Sequence, residues 1–368
     1  MSSQPFAVVN LKNVINNAKI LKKACAPAKF CAVVKADGYG HGCAEIASAI
    51  DGVADFFAVG CVDEGVKLRF AGVTAPVLCL IPVREREYDR ARRYNVQVTL
   101  SSIAGIEKFC EYAKSRTAPA FQLAINSGMN RLGIDEEQFN RAAITLYSAG
   151  INGDGLFKGV FSHFYNASNY RSCEEQYLKF LRATDFFADF GVNFAHIASS
   201  GALYNYGNLF KMSAVRAGLA LYGYLPDGLC GYGQNNASEA ALHGLKPAMC
   251  VYASVFNHRF LTAGEHLLYG GDELSCSACA DIAGYGYFYG LKRGAGIKPA
   301  CMNMCAVEHN AKNVLSCEDL LNFSGEYGES LSDCVCIFNN AEEVAERAGI
   351  SVYEVLTSAR NIRKYYLK

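Results

Sequence analysis

Eight short apolar runs before residue 225 constrain the fold of this chain more than any other feature of its sequence. The runs are rich in β-branched and aromatic residues, and stretches with helical periodicity separate most of them. Strands that alternate with helices predict βαβ units and a parallel sheet. Eight such units in this length fit a (β/α)8 barrel better than an open doubly wound sheet. The predicted strands are Phe30–Val34, Phe56–Gly60, Val77–Ile81, Val96–Leu100, Ala120–Ile125, Gly159–His163, Phe194–Ala198 and Ala214–Leu219.

The clearest predicted helices lie between these strands. They are Leu11–Ala24, Cys43–Ile50, Ile103–Ser115, Glu136–Ser148 and Cys173–Phe190. After Tyr224 the pattern changes to the loop-like segments 226–228 and 231–236, followed by short strands. The strands predicted there are Val251–Leu261, Leu267–Tyr269, Cys279–Tyr285 and Cys334–Phe338, with a last helix at Ala341–Ala348. We therefore predict an α/β chain with a TIM-like barrel over residues 8–228. A mostly β domain over residues 229–368 follows, and residues 1–7 join it.

Charge and hydropathy exclude several classes of function. Thirty-five basic residues balance 35 acidic ones, and no basic block gives the footprint expected of a nucleic-acid-binding protein. The first five residues show neither the basic nor the apolar region of a secretory signal. No apolar run approaches the roughly 20 residues of a membrane helix. We therefore expect a cytoplasmic protein that binds neither membranes nor nucleic acid.

Sixteen cysteines are scattered along the chain, several of them inside apolar strands, as reduced thiols are in a cytoplasmic protein. One local pattern resembles a zinc ribbon, because Cys276 and Cys279 are followed by Cys301 and Cys305. The second pair is separated by three residues rather than two, and no knuckle glycines follow. We predict reduced thiols here and no metal.

Lys35 ends the first predicted strand, and a turn with three glycines, Tyr39 and His41 follows it. An unpaired ammonium at the end of a buried strand carries a heavy desolvation cost. Burial lowers the pKa of a lysine, and a neutral amine can attack a carbonyl carbon. The segment therefore predicts a lysine that forms a Schiff base, beside a loop placed to hold an anion.

Polar residues also stand at the ends of other predicted strands. In barrels of this kind the chemistry lies at the carboxyl ends of the strands, and phosphate often binds after strands seven and eight. The residues at these ends include Lys35, Asn126, His163, Ser199, Ser200 and Arg216. Ser200-Gly201 and Gly218 offer the hydroxyl and backbone N–H groups that a phosphate needs. A lysine at one strand end and a phosphate cradle at two others suggest pyridoxal phosphate as the cofactor.

These motifs resemble those of alanine racemase, the barrel-type pyridoxal-phosphate-dependent racemase family. The lysine signature is Val33-Val34-Lys35-Ala36-Asp37-Gly38-Tyr39-Gly40-His41-Gly42, and the arginine motif is Asn126-Ser127-Gly128-Met129-Asn130-Arg131-Leu132-Gly133. Further similar segments are Ser162-His163-Phe164, His196 with Ser200, Val215-Arg216-Ala217-Gly218, Tyr269-Gly270, Gly284-Tyr285 and Cys301-Met302-Asn303. The resemblance extends over essentially the whole chain and is weakest in its last third.

The resemblance implies a two-base mechanism that interconverts L- and D-alanine and so supplies D-alanine for peptidoglycan. One base must remove the α-proton and another must deliver a proton to the opposite face. Lys35 would serve the D-face, and Tyr269 the L-face of the partner subunit's site, so a homodimer would be the catalytic unit. The phenol's ordinary pKa of about 10 makes it a poor base unless positive charge lies near it.

The resemblance also assigns residues to the cofactor and the substrate. Arg216 would face the pyridine nitrogen and weaken the ring as an electron sink, which disfavours transamination. His196 would orient Arg216, and His163 would pack on the ring. The phosphate would be held by Tyr39, Ser200 and the backbone of Gly218 and Leu219, and the substrate would meet Arg131, Met302 and Tyr285.

Four positions depart from the family pattern. Ala124 replaces a lysine that is carbamylated to brace the arginine, and Asn126 and Asn303 replace aspartates, while Ala359 replaces a tyrosine near the phosphate. We expect a bound anion or a remodelled network to hold Arg131 instead. Racemisation of serine or another amino acid stays open, as does a pyridoxal-phosphate-binding barrel with weak or lost activity. A decarboxylase of the same architecture is disfavoured, because such enzymes place a glutamate where Arg216 stands.

Overall fold

The computed structural model describes residues 4–151, 155–225, 242–269, 273–290, 298–299, 301–308, 327, 331 and 333–368. The chain divides into two compact units. One unit contains residues 15–38 and 43–245, and the other contains residues 1–14, 39–42 and 246–368. The boundary predicted at residue 228 and the predicted loops at 226–228 and 231–236 lie outside the described residues, as does Gly270. No helix in the described part is long and apolar enough to cross a membrane.

The larger unit contains a parallel sheet of eight strands, which confirms the predicted barrel. The chain begins with β1 (Phe6–Asn10), which belongs to the other unit. The barrel strands are β2 (Lys29–Val33), β3 (Phe56–Val59), β4 (Val77–Cys79), β5 (Val96–Leu100), β6 (Phe121–Ala124), β7 (Phe157–Phe161), β8 (Ala195–His196) and β9 (Ala214–Ala217). Each strand pairs with its neighbour in sequence, and β2 pairs with β9. Between β8 and β9 the N–H of Ser213 donates to Ala195 O at 2.9 Å, which nearly closes the barrel.

The barrel strands are buried on both faces, as parallel strands covered by helices must be. Aromatic side chains fill much of this core. The ring of Phe121 stacks on Phe157 with centroids 4.8 Å apart, and Phe109 meets Phe121 edge-on at 4.9 Å. Phe187 packs against Phe157 from the helical layer at 5.8 Å. Aromatic burial of this extent fixes the strands that carry the site residues.

Helices alternate with the strands, and the five that were predicted lie close to their predicted bounds. They are α1 (Leu11–Cys25), α2 (Cys43–Ile50), α3 (Val62–Phe70), α4 (Tyr88–Arg93), α5 (Ile103–Ser115), α6 (Phe139–Ser148), α7 (Tyr170–Ala188) and α8 (Ser200–Tyr206). The segment predicted as Glu136–Ser148 begins with a 3-10 turn, Glu136–Gln138. α7 begins three residues before the predicted start, because the side chain of Asn169 accepts the N–H of Ser172 at 3.0 Å and caps the helix.

The second unit is built around a mostly antiparallel sheet of seven strands within the described residues. Its strands are β1, β10 (Met249–Leu261), β11 (Ala278–Ala283), β12 (Lys298–Pro299), β13 (Cys305–Glu308), β14 (Cys334–Phe338) and β15 (Arg363–Leu367). The order is β12-β13-β11-β10-β1-β15, and β14 also pairs with β10. The helices α9 (Ala341–Ala348) and α10 (Val352–Ser358) precede β15. A mostly β second domain is therefore confirmed.

One strand prediction in this unit is wrong. Residues 267–269 form no strand, and a single bridge joins His266 to Glu273 instead. Leu268 has a φ of 61°, which lies in the left-handed region and breaks an extended run. Tyr269 therefore stands on an irregular loop.

Candidate active site

Lys35 stands just beyond β2, at the start of an unusual turn. Ala36, Asp37 and Gly38 have φ angles of 56°, 54° and 62°, and Tyr39 follows at 51°, so four consecutive residues are left-handed. This conformation costs an L-residue about 1–2 kcal/mol, and only glycine adopts it freely. The N–H of Gly38 donates to Val34 O at 2.9 Å, which closes the turn. The turn reverses the chain immediately after the lysine, and neighbouring groups must stabilise it.

Glu64, in the first turn of α3, supplies this support. Its carboxylate accepts the N–H of Asp37 at 2.9 Å and the N–H of Gly60 at 2.8 Å. Asp37 in turn accepts the N–H of Cys43 at 3.3 Å, at the start of α2. Glu64 was not predicted from the sequence, although an acid in the first turn of a helix after a barrel strand is a visible signal. Glu64 joins the ends of β2 and β3.

We expect Glu64→Ala to lower the free energy of unfolding by about 2–4 kcal/mol, since two backbone donors lose a charged acceptor. Asp63→Ala is the matched control on the same helix. The Asp63 carboxylate is exposed and pairs with Arg90, so its loss should cost less than about 1 kcal/mol. Urea unfolding of both variants makes the comparison. Equal losses would show that Glu64 does not support the turn.

The pKa of Lys35 is lowered by burial and by the guanidinium groups of Arg131 and Arg216. The Glu64 carboxylate opposes this shift less strongly. The neutral amine is therefore more accessible than in an ordinary lysine, as the sequence predicted from strand burial. Lys35 thus lies in a cationic environment within the barrel unit.

Arg216, in β9, is the most connected side chain of the site and is only 5% exposed. Its Nη1 donates to His196 Nδ1 at 2.5 Å and to His196 O at 3.0 Å. Its Nη2 donates to Ser162 O at 2.6 Å and to His163 Nδ1 at 3.0 Å. Burial lowers the pKa of Arg216 to about 10. The structure thus brings together Arg216, His163 and His196, as the sequence predicted.

Both histidines are held neutral. Burial and the Arg216 charge lower the pKa of His163 to about 3, and they hold the pKa of His196 well below its usual range. The ring of His196 stacks on Phe161 at 5.3 Å with an interplanar angle of 3°. Arg216 therefore carries the fixed positive charge of this group.

Ser200 begins α8, and Gly218 precedes the 3-10 turn Leu219–Tyr222. The N–H of Gly218 donates to Ser200 Oγ at 3.1 Å. Ser200 and Leu219 are both buried. The structure therefore brings these three residues together at the ends of β8 and β9, as expected of a phosphate cradle.

Arg131 lies on the loop after β6, with its side chain exposed. Within the described residues its guanidinium makes no hydrogen bond or ion pair. Asn126 holds this loop through its side chain. Its amide nitrogen donates to Asn130 Oδ1 at 3.0 Å and to Asp135 Oδ1 at 2.7 Å. The Asn126 oxygen accepts the N–H of Asn130 at 3.0 Å. Asn126 thus serves as the centre of a local network.

Ala124 packs in an apolar cluster with Leu78 and Phe161, and Leu80 lies against them. The Asn126 network holds the backbone of the Arg131 loop and does not reach the guanidinium within the described residues, so how the Arg131 side chain is held stays a prediction. Gly133 also shapes the loop, because a Cβ on it would lie 2.4 Å from the backbone nitrogen of Asn126. Only glycine permits this approach.

The remaining predicted site residues, all in the second unit, are Tyr39, Tyr269, Tyr285 and Met302. Tyr39 is buried, its ring lies 5.7 Å from that of Tyr353, and burial raises its pKa. Tyr269 is 82% exposed and Met302 is 55% exposed. Tyr285 is 1% exposed, and burial raises its pKa to about 12. Tyr285 thus packs within its own unit, and its role at a substrate stays a prediction.

The carbonyl of Met302 accepts the N–H of Phe288 at 2.9 Å. A Cβ on Gly286 would lie 2.3 Å from the same carbonyl oxygen, so the glycine allows the two segments to approach. Among the candidate zinc ligands, Cys276 and Cys279 are exposed, whereas Cys305 is buried. The described residues contain no group of three or more His, Cys, Asp or Glu side chains placed to hold a metal ion.

Comparison with known proteins finds one family by sequence and a similar fold by structure. Residues 9–226 match the family described as "Alanine racemase, N-terminal domain". The alanine racemase of Thermodesulfovibrio yellowstonii is 30% identical, with 98% of each chain covered. That of Macrococcus caseolyticus is 28% identical, covering 98% of this chain and 94% of the relative. The structure of alanine racemase from D-cycloserine producing Streptomyces lavendulae has a TM-score of 0.83 at 23% identity, covering 100% and 98% of the two chains, and supports the fold.

The barrel, its cationic site at the strand ends and these likenesses define a (β/α)8-barrel enzyme of the isomerase class. In such barrels the carboxyl ends of the strands carry the chemistry, and there the Arg216 charge acts on Lys35 and lowers its pKa. The chain belongs to the alanine racemase family.

Proposed function

We propose that this chain interconverts L- and D-alanine with pyridoxal phosphate as its cofactor, and that it supplies D-alanine for cell-wall peptidoglycan in the cytoplasm. The observation that carries the proposal is that Lys35, whose pKa is lowered, lies within electrostatic range of the buried Arg216, whose hydrogen-bond partners in the described residues are histidines and backbone carbonyls rather than a carboxylate. Lowering the pKa of a lysine prepares it for carbonyl chemistry. An arginine at the ring nitrogen of the cofactor would favour proton transfer over transamination.

The residues present fit this cofactor. Both terminal nitrogens of Arg216 donate to protein acceptors, while its Nε–H makes no hydrogen bond within the described residues and can meet a ring nitrogen. Ser200, Gly218 and Leu219 would hold the phosphate, together with Tyr39. His163 would pack on the ring. When bound, pyridoxal phosphate supplies an electron sink that acidifies the α-hydrogen of an attached amino acid.

The protein residues would then move the proton. Lys35 Nζ takes the α-proton from, or returns it to, the D-face, and burial together with the Arg131 and Arg216 charges favours its neutral, basic form by lowering its pKa. Tyr269 Oη does the same on the L-face. Arg131 binds the substrate carboxylate, together with Met302 and Tyr285. The neutral His163 accepts from Arg216, so it adds no further positive charge beside the reacting group.

Tyr269 would act in the site of a partner subunit, so the catalytic unit is a homodimer. Its phenol is 82% exposed within its own chain, as a group delivered to another subunit requires. Size-exclusion chromatography with light scattering gives the mass in solution. A dimer is expected, and a strictly monomeric active enzyme would contradict the shared site.

The cofactor assignment is tested by treating the purified protein with borohydride and mapping the modified peptide by mass spectrometry. We expect pyridoxal phosphate reduced onto Lys35. The same protein is given L-alanine and L-serine separately, and D-isomers are measured by chiral chromatography. Faster conversion of alanine supports the proposal, whereas faster conversion of serine would move the assignment to a serine racemase. Cofactor on Lys35 with neither conversion would indicate a binding protein.

We expect Arg131→Met to raise KM for alanine by about 10–100-fold, the value of one or two charge-assisted hydrogen bonds to a carboxylate. Within the described residues no carboxylate of the protein pairs with this guanidinium. Its removal should therefore act on substrate binding. Arg141→Met is the control, because Arg141 is exposed and pairs with Glu107 at 2.7 Å. A KM unchanged in Arg131→Met would remove Arg131 from the substrate site.

A further inference from the structure

In the part of the chain that the structure describes, no carboxylate is among the hydrogen-bond partners of the buried Arg216. Its acceptors are the Nδ1 atoms of His196 and His163 and the backbone carbonyls of Ser162, His196 and Ile197. All of these are neutral. A buried cation without a counter-ion depends on dipoles that are fixed with their negative ends toward it.

One chain of side-chain hydrogen bonds leads away from Arg216 through the barrel. His196 Nε2 lies 2.7 Å from Gln122 Oε1, and Gln122 Nε2 lies 2.9 Å from Gln97 Oε1. Gln122 and Gln97 are on β6 and β5, and Gln122 is only 2% exposed. The chain therefore spans three strands, from β8 to β5.

The chemistry of Arg216 determines the direction of every bond in this chain. A guanidinium can only donate, so His196 Nδ1 accepts, and the proton of the neutral ring is on Nε2. Nε2–H then donates to Gln122 Oε1, which leaves the Gln122 amide nitrogen as the donor to Gln97 Oε1. Each group thus presents its acceptor toward Arg216 and its donor away from it.

The surroundings leave the chain little freedom. The His196 ring is stacked on Phe161 and lies 5.3 Å from the ring of Phe194. Gly159 borders Gln122 on β7, where a Cβ would lie 3.4 Å from Gln122 Oε1 and 2.6 Å from Phe194 O. A larger residue at 159 would therefore clash with the Phe194 carbonyl, and its Cβ would stand in contact with the Gln122 amide. The ring of His196 thus has one hydrogen-bonding arrangement that satisfies both nitrogens.

We propose that Gln122, oriented by Gln97, is a positioning residue that holds the Nε2–H form of His196 and through it the side chain of Arg216. The inference rests on the proposed function, because it concerns the arginine assigned to the ring nitrogen. Gln122 touches neither substrate nor cofactor in this account. Its effect is to keep Arg216 in one rotamer with its charge balanced by oriented neutral dipoles.

The test uses the full-length protein labelled with 15N-histidine, with and without cofactor. The chain has seven histidines, and His196→Gln identifies the resonances of His196. Wild type should show His196 as the neutral Nε2–H form with a hydrogen-bonded proton. Gln122→Leu should lose that hydrogen-bonded signal, whereas Gln122→Glu, which keeps an acceptor, should retain it.

Racemase kinetics provide the second readout. Gln122→Leu should lower kcat for alanine by about tenfold, while KM stays within about twofold of wild type. Gln122→Glu should recover the hydrogen bond in the spectrum. An unchanged His196 spectrum in Gln122→Leu, or an unchanged kcat, would overturn the proposal.

Two further measurements distinguish failure of this proposal from a folding defect and from failure of the proposed function. If Gln122→Leu does not fold, Gln97→Leu examines the same chain at a half-buried position. A weakened Nε2–H signal there supports the proposal, and an unchanged one overturns it. If the wild type racemises no amino acid, the proposed function fails. The spectrum recorded without cofactor still shows whether Gln122 holds His196 in the Nε2–H form, so the two failures are distinguishable.

Discussion

Replacement of Lys35 by alanine should lower the rate of alanine interconversion by about 10⁴-fold or more, because the cofactor loses its attachment and the D-face loses its base. The side chain is half-buried, and its ammonium form is disfavoured by burial and by the charges of Arg131 and Arg216. Its removal therefore relieves like-charge repulsion, and the barrel should remain folded. Chiral chromatography measures the rate, and circular dichroism checks the fold.

Lys29→Ala is the matched control for this variant. Lys29 begins the same strand, is exposed, and lies 5.6 Å from the centre of the Phe194 ring. Its replacement should leave the racemase rate within about twofold, as a surface change does. An added small primary amine should restore part of the rate in Lys35→Ala and none in Lys29→Ala. Retention of more than a tenth of the activity in Lys35→Ala would exclude Lys35 from the chemistry.

Replacement of Tyr269 by phenylalanine should lower the rate of racemisation by about 10²–10⁴-fold. Proton exchange on the D-face should continue. The change removes one oxygen atom from an exposed ring, so packing is preserved. Lys35 can still remove and return the proton on the D-face. D-alanine should therefore continue to exchange its α-hydrogen in D2O, whereas exchange of L-alanine should fall with racemisation.

Proton NMR of each isomer in D2O separates these outcomes. Tyr287→Phe, at another partly exposed tyrosine of the same unit, is the control and should behave as wild type. Equal loss of exchange for both isomers in Tyr269→Phe would mean that the tyrosine is needed for binding rather than for one face. Unchanged racemisation would remove it from the mechanism.

The barrel could be predicted because its signal is local. Each run of β-branched and aromatic residues is bounded by a helical stretch, and Ile103–Ser115 even has its predicted bounds, since Ser102 caps it. The helix α10 was missed although Ser351 and Glu354 form a capping box at its start. Leu267–Tyr269 was predicted as a strand from side-chain type alone, and the left-handed Leu268 prevents it.

Sequence patterns located the charged centre of the site but not its support. Lys35, His163 and Arg216 were predicted from strand ends, where function is concentrated in this fold. The left-handed turn at Ala36–Gly38 could not be foreseen, because alanine disfavours that conformation and the Glu64 carboxylate that supports it comes from another part of the chain. Gln122 was visible as a polar residue in an apolar run, but its partners lie on other strands and depend on the closed barrel.

The central claim is that the chain racemises alanine through Lys35, and the time course of D-alanine formation tests it most directly. Purified protein with pyridoxal phosphate is incubated separately with L- and D-alanine, beside Lys35→Ala. Both reactions of the wild type should approach equal amounts of the two isomers, because enantiomers have equal free energies, and the variant should form none above background. A wild type that carries the cofactor yet leaves both isomers unchanged, or a variant that racemises as well as wild type, would contradict the account.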